Sequence, residues 1–98
     1  GRLIENIVYL ELIRRGYQVF IGKTNTTEVD FVANKDNETV YFQVAQTILA
    51  EDTLNRELKP LQNIKDNYPK YLLTLDYLPQ TDYNGIKQVN IIDWLLDK

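Results

Sequence analysis

The segments Thr27-Glu28-Val29-Asp30-Phe31-Val32 and Tyr41-Phe42-Gln43-Val44-Ala45 decide the fold. Both are rich in β-branched and aromatic residues, and the polar cluster Asn34-Lys35-Asp36-Asn37-Glu38 between them reads as a turn. Residues 17–21, from Tyr17 to Ile21, have the same strand character, and 22–26 supply a turn. The region therefore predicts an antiparallel meander with strands at 17–21, 27–33 and 39–45. Alternate residues of a strand share a face, so Glu28, Asp30 and Val32 are expected on one side and Val29, Phe31 and Ala33 on the other. On the neighbouring strand Tyr41, Gln43 and Ala45 share a face. The pairing sets an acid, Asp30, opposite an amide, Gln43.

Working outward, Leu3, Ile4, Ile7, Val8, Leu12 and Ile13 have helical spacing, Arg14 and Arg15 suit the last turn, and Gly16 is a stop. Downstream, Asp52 is the expected cap of a helix carrying Leu54, Leu58, Leu61 and Ile64. Pro60 falls inside that helix and predicts a kink or two short helices in line, since an interior proline costs about 3 kcal/mol or more. Tyr68-Pro69 ends the segment. Residues 70–75 read as a buried strand, 78–84 as a polar loop, Gly85 as a turn and 86–89 as a short strand. Asn90 then caps a last helix with Asp93 in its first turn and Ile91, Ile92, Leu95 and Leu96 as its apolar residues. The expected class is α/β (α+β), with a mixed sheet in the order helix, three strands, helix, strand, then an appended strand and C-terminal helix.

With 98 residues the chain suits one domain with one modest core. A composition 44% hydrophobic and 26% charged argues against disorder. Neither Cys nor His is present, so disulfides, the usual zinc ligands and His-based nucleophile systems are excluded. Any metal must be a hard, oxygen-seeking ion. The net charge of −3 opposes nucleic acid on average while leaving room for a local basic face. No apolar run approaches the ~20 residues of a membrane span and no leader pattern is present, so no membrane partner and a cytoplasmic location are expected. The opening Gly1-Arg2-Leu3, helical in pattern and without Met, is expected of a piece of a longer protein.

Asp30 and Gln43 could offer oxygen to one cation, with Glu5 on the first helix as a further acid. Mg²⁺, or Mn²⁺, accepts such a set at about 2.1 Å and keeps several waters. The chemistry would be phosphodiester hydrolysis by a metal-activated water. A site of this type uses a Lys two residues beyond the Glu-or-Gln position, where this chain has Ala45. Losing one such preorganised group costs on the order of 10²–10³ in rate, unless Lys23, Lys35, Arg56 or Lys70 reaches in. The plainer reading stands beside this one. Acids on a strand mark a solvated face, a strand Gln bonds backbone at a sheet edge, and Glu5 suits the helix dipole without a ligand. Arg56-Glu57 is a phosphate contact or simply exposed charge. Seven Tyr suit base stacking, but Tyr68, Tyr71, Tyr77 and Tyr83 read mainly as packing residues, and Trp94 as the dock of the last helix.

Several strings, taken in order, resemble one family: Leu3-Ile4-Glu5-Asn6, Leu12-Ile13-Arg14-Arg15-Gly16-Tyr17, Glu28-Val29-Asp30-Phe31, Tyr41-Phe42-Gln43-Val44-Ala45, Arg56-Glu57, Asp66-Asn67-Tyr68-Pro69-Lys70-Tyr71, and Gly85-Ile86 through Asn90-Ile91-Ile92-Asp93. The family is the C-terminal domain of unknown function of prokaryotic AAA-type ATPases, which is similar to the PD-(D/E)XK nuclease superfamily. The resemblance implies a restriction-endonuclease-like core, with Glu5 as the helical acid, Asp30 as the strand acid and Gln43 at the Glu-or-Gln position. Ala45 departs from the nuclease Lys and weighs against cleavage. An N-terminal ATPase domain in the same parent protein is the implied partner, with nucleic acid, another protein or a second copy as further candidates. These 98 residues hold no Walker-type phosphate loop, so no ATP site is expected in them. The alternative is a non-catalytic interaction module docking on its ATPase or another protein.

Overall fold

A computed structural model describes residues 2–22, 28–78 and 82–97. The elements are α1 (Arg2–Arg14), β1 (Gln18–Ile21), β2 (Phe31–Lys35), β3 (Glu38–Val44), α2 (Glu51–Gln62), β4 (Lys70–Thr74), β5 (Asp82–Tyr83), β6 (Ile86–Asn90) and α3 (Ile91–Leu95). The strands form one mixed sheet in the order β1-β2-β3-β4-β6-β5. β1, β2 and β3 pair antiparallel, β4 joins β3 and β6 in parallel, and β5 pairs antiparallel with β6. The chain is thus a mixed α+β protein, with the meander at one end of the sheet and a parallel segment at the other.

Turn chemistry sets the hairpins. Asp36 and Asn37 both have positive φ and separate the paired Lys35 and Glu38, the two-residue geometry whose twist matches that of the flanking strands. Strands β2 and β3 therefore run closer to the turn than 27–33 and 39–45 anticipated. Asn84 and Gly85 repeat the device between β5 and β6, so Asp82 and Tyr83, within the segment 78–84 that reads as a loop, form one arm of a hairpin. Asn-Gly between paired strands is itself the sequence signal for this turn.

Two apolar layers clothe the sheet. Val8 and Leu12 of α1 and Ile91 of α3 pack on Phe31, Ala33, Val40, Phe42, Val44 and Leu73. On the other face Leu58 and Leu61 of α2 pack with Val29, Ile48, Leu72 and Ile86. Trp94 docks α3, its ring 5.7 Å from Phe42 and beneath the Arg15 guanidinium at 4.4 Å. Arg15 also donates to the Trp94 carbonyl and to Glu11, tying α1 to α3. The two arginines at the end of α1 hold the Glu11 carboxyl at about 2, well below its ordinary value.

Two helix expectations change. The N-cap of α2 is Ala50 and supplies no side-chain bond; Asp52 lies within the first turn, where with Glu51 it suits the dipole. Pro60 does not divide α2, which is a single helix to Gln62. Proline near the end withholds only the amide that the Arg56 carbonyl would have received, and Leu58 and Leu61 hold both sides of it to the core. At α3 the expected cap is present: the Asn90 side chain accepts the Asp93 N–H at 3.1 Å.

Tyr41 fastens β3 to the chain between α2 and β4. Its hydroxyl donates to Asp66 at 2.6 Å, and Lys70 donates to the same carboxylate at 2.9 Å. Burial first, then the bond to Asp66, pushes the Tyr41 phenol from 10.0 to about 12. A raised phenol stabilises the fold below pH 10, and that contribution is lost as pH rises through about 12. Alkaline chemical unfolding is expected to show a stability decline across this window that Tyr41→Phe lacks. An identical pH profile for both proteins would contradict this role of Tyr41.

Candidate functional site

The acid and the amide come together, though not as strand alternation predicted. β2 begins at Phe31, and the chain bends at Val29 and Asp30. Because of the bend Val29 joins the α2-side cluster while Phe31 joins the other, so the expected shared face of Val29, Phe31 and Ala33 holds only from Phe31 onward. Glu28 is exposed, and Thr27 and Lys23 lie outside the described residues.

Asp30 and Gln43 interlock through each other's strand. The Asp30 N–H donates to Gln43 Oε1 at 2.9 Å, and Asp30 Oδ2 accepts the Val44 N–H at 2.8 Å. Regular pairing of β2 with β3 ends at Phe31 and Phe42, so these side chains continue the ladder one step beyond it. Both residues are only 3% exposed. The Gln43 orientation follows from chemistry: a backbone N–H needs the carbonyl oxygen, which turns the amide nitrogen toward α2. There Gln43 Nε2 donates to Glu57 Oε1 at 2.9 Å. The Glu57 carboxylate thus accepts a charge-assisted bond, the stronger class.

Glu57 is the acid that the sequence hid. It belongs to an Arg-Glu pair that reads as surface charge, and only the folding of α2 over β3 gives it a partner. Beside this contact opens a cleft of about 470 Å³ lined by Glu28, Gln43, Arg56, Glu57, Lys59 and Pro60. Its two acids and two bases leave it without a dominant sign. Of the residues considered as substitutes for a Lys at position 45, Arg56 lines this cleft. Lys35 instead bonds the Arg15 carbonyl and covers Tyr17, and Lys70 is engaged with Asp66. Ala45 continues the pairing with β4 and packs on the α2 side.

Glu5 sits at the same end of the sheet. The tight turn after α1, with Tyr17 N–H bonded to the Leu12 carbonyl, sends β1 back along the helix, so α1 begins near the Ile21 end of β1. Ile21 pairs with Phe31, whose ring lies 6.1 Å from Tyr9, one helical turn after Glu5.

Asp30 Oδ2 and Gln43 Oε1 are both engaged by backbone N–H groups. Among the described residues no three carboxylates are grouped to hold a metal ion. The Gln43 oxygen is turned to a backbone amide, Asp30 Oδ2 to another, and the group facing the cleft from Gln43 is an NH₂ donor, which repels a cation. Mg²⁺ also keeps several waters, for which side chains only 3% exposed give little room.

A second polar network went unread in the sequence. Gln88 donates to Thr74 at 2.6 Å, Asn90 to the Asp76 carbonyl at 3.2 Å, and Asp76 accepts from Thr47 and the Ile48 N–H. It joins the carboxyl ends of β4 and β6 to the chain leaving β3. Gln88 and Asn90, two apart and so on one face of β6, are its sequence mark.

No protein-family model matches the chain. A Haemophilus influenzae protein described as "Uncharacterized protein" is 48% identical over 93 residues, which are 95% of this chain and 22% of that relative. The chain therefore spans about a fifth of the relative it matches. No helix among the described residues is long and apolar enough to cross a membrane.

Proposed function

We propose that the chain is a PD-(D/E)XK nuclease-like domain from the C-terminal end of a prokaryotic ATPase, in which the acid-and-amide pair has become a structural clasp and the domain serves by binding rather than cutting. The observation that carries this reading is the reciprocal bonding of Asp30 and Gln43 to backbone N–H groups, at 2.9 and 2.8 Å. Further support comes from the element order helix, three strands, helix, strand, which suits the restriction-endonuclease-like core, and from Ala45 where a catalytic Lys belongs. Glu5, Asp30 and Gln43 then mark ancestry, and neither Mg²⁺ nor Mn²⁺ takes part.

A second reading, contact with the phosphates of a nucleic acid, is favoured by Arg56 and Lys59 at the cleft beside Gln43. One assay separates the two. The full-length protein is incubated with single- and double-stranded nucleic acids and Mg²⁺ or Mn²⁺, beside Asp30→Asn and the double variant Arg56→Ala/Lys59→Ala. No cleavage is expected from any of them. Metal-dependent cleavage abolished by Asp30→Asn overturns the proposal. Salt-sensitive binding lost in the double variant, without cleavage, assigns the cleft to nucleic acid.

A further inference from the structure

Helix α1 is apolar on two opposite sides. Val8 and Leu12 are fully buried against the sheet, with Ile4 and Tyr9 beside them. At 3.6 residues per turn, Leu3, Ile7 and Leu10 fall on the side away from the sheet, in the i, i+4, i+7 spacing of a packing stripe. Leu3 is 72% and Leu10 63% exposed, and Ile13 flanks them. Helix α2, of nearly equal length, provides the contrast. Its Leu54, Leu58 and Leu61 all turn inward and its outer surface is polar, with no large apolar side chain exposed. A contiguous exposed apolar patch marks an interaction surface. The outer side of α1 also lacks a free acid that docking would have to desolvate, because Glu11 is folded onto Arg14 and Arg15.

The length of the relative indicates the occupant. Its matched region is 22% of its length, so nearly four-fifths of that polypeptide lies outside the region this domain represents. We propose that the outer face of α1, the stripe of Leu3, Ile7 and Leu10, is covered by another domain of the same polypeptide. This shares with the function proposed above only the premise of a longer chain, and it stands whether or not nucleic acid is bound or cut.

Carbene footprinting of the full-length polypeptide tests it with an internal reference, Leu49, which is 73% exposed. Leu3 and Leu10 are expected to be labelled several-fold less than Leu49, and to the same extent at every protein concentration. Labelling equal to that of Leu49 overturns the proposal. Protection that disappears on dilution overturns it too, by assigning the face to a second copy. Leu10→Glu is expected to raise labelling of Leu3 and Ile7 several-fold while Val8 and Leu12 stay unlabelled; unchanged labelling of Leu3 and Ile7 contradicts it. None of these readouts depends on hydrolysis, so failure here is distinct from failure of the clasp.

Discussion

Asp30→Ala is expected to destabilise the domain by about 2–4 kcal/mol, a drop in Tm on the order of 10–20 °C for a domain of this size. The substitution removes the acceptor of the Val44 N–H and leaves that buried donor unsatisfied. Loss of a bond to a charged group and an orphaned amide act in the same direction, which places the effect well above that of an ordinary surface change. Asp30→Asn separates charge from shape. Its carbonyl can still accept the Val44 N–H, so a loss of about 1 kcal/mol is expected, the difference between a charge-assisted and a neutral bond. Equilibrium denaturation of the three proteins decides it. Equal stability of wild type and Asp30→Ala would remove the clasp from the account.

Leu61→Ala is the second large effect, expected at about 3 kcal/mol from lost burial and the cavity left behind. Leu61 has no exposed surface and follows Pro60 directly, so it anchors the turn of α2 whose amide ladder the proline interrupts. The same helix carries Glu57 to Gln43. Loosening α2 should therefore also weaken the Gln43–Glu57 contact, and Leu61→Ala combined with Glu57→Gln should lose less than the sum of the single changes. Strict additivity, measured by chemical denaturation, would mean that the contact forms independently of how α2 is seated.

Much of the fold is legible in the sequence because its signals are local. Apolar spacing with a terminal Gly gives α1, strand composition either side of a polar cluster gives the meander, and Asn90 with Asp93 gives the start of α3. What was not legible depends on distant partners or on backbone conformation. The bend at Val29 and Asp30 carries no punctuation residue, so alternation was extended too far. Pro60 is tolerated because Leu58 and Leu61 are held by a sheet that the helix sequence does not describe. β5 is two residues long and depends on β6, although Asn84-Gly85 announces the turn. At the candidate site, residue types identified Asp30 and Gln43 as a pair. Their bonding to backbone, and the addition of Glu57, follow from how β2, β3 and α2 meet. Helical spacing groups Leu3 and Ile7 with Ile4, Val8 and Leu12 without separating an outer stripe from the buried side, and Leu10 stands outside that set.

In the proposed role Asp30 and Gln43 hold β2 to β3 and take up no cation. Thermal unfolding of wild type and Asp30→Asn, each with and without excess Mg²⁺ or Mn²⁺, tests it most directly. A cation bound by the native state at 100 times its Kd would add about 2.7 kcal/mol and raise Tm by several degrees. Neither cation is expected to move the wild-type Tm, and Asp30→Asn is expected to unfold at a lower temperature by the same interval in all buffers. A cation-dependent rise in wild-type Tm that vanishes in Asp30→Asn would contradict it.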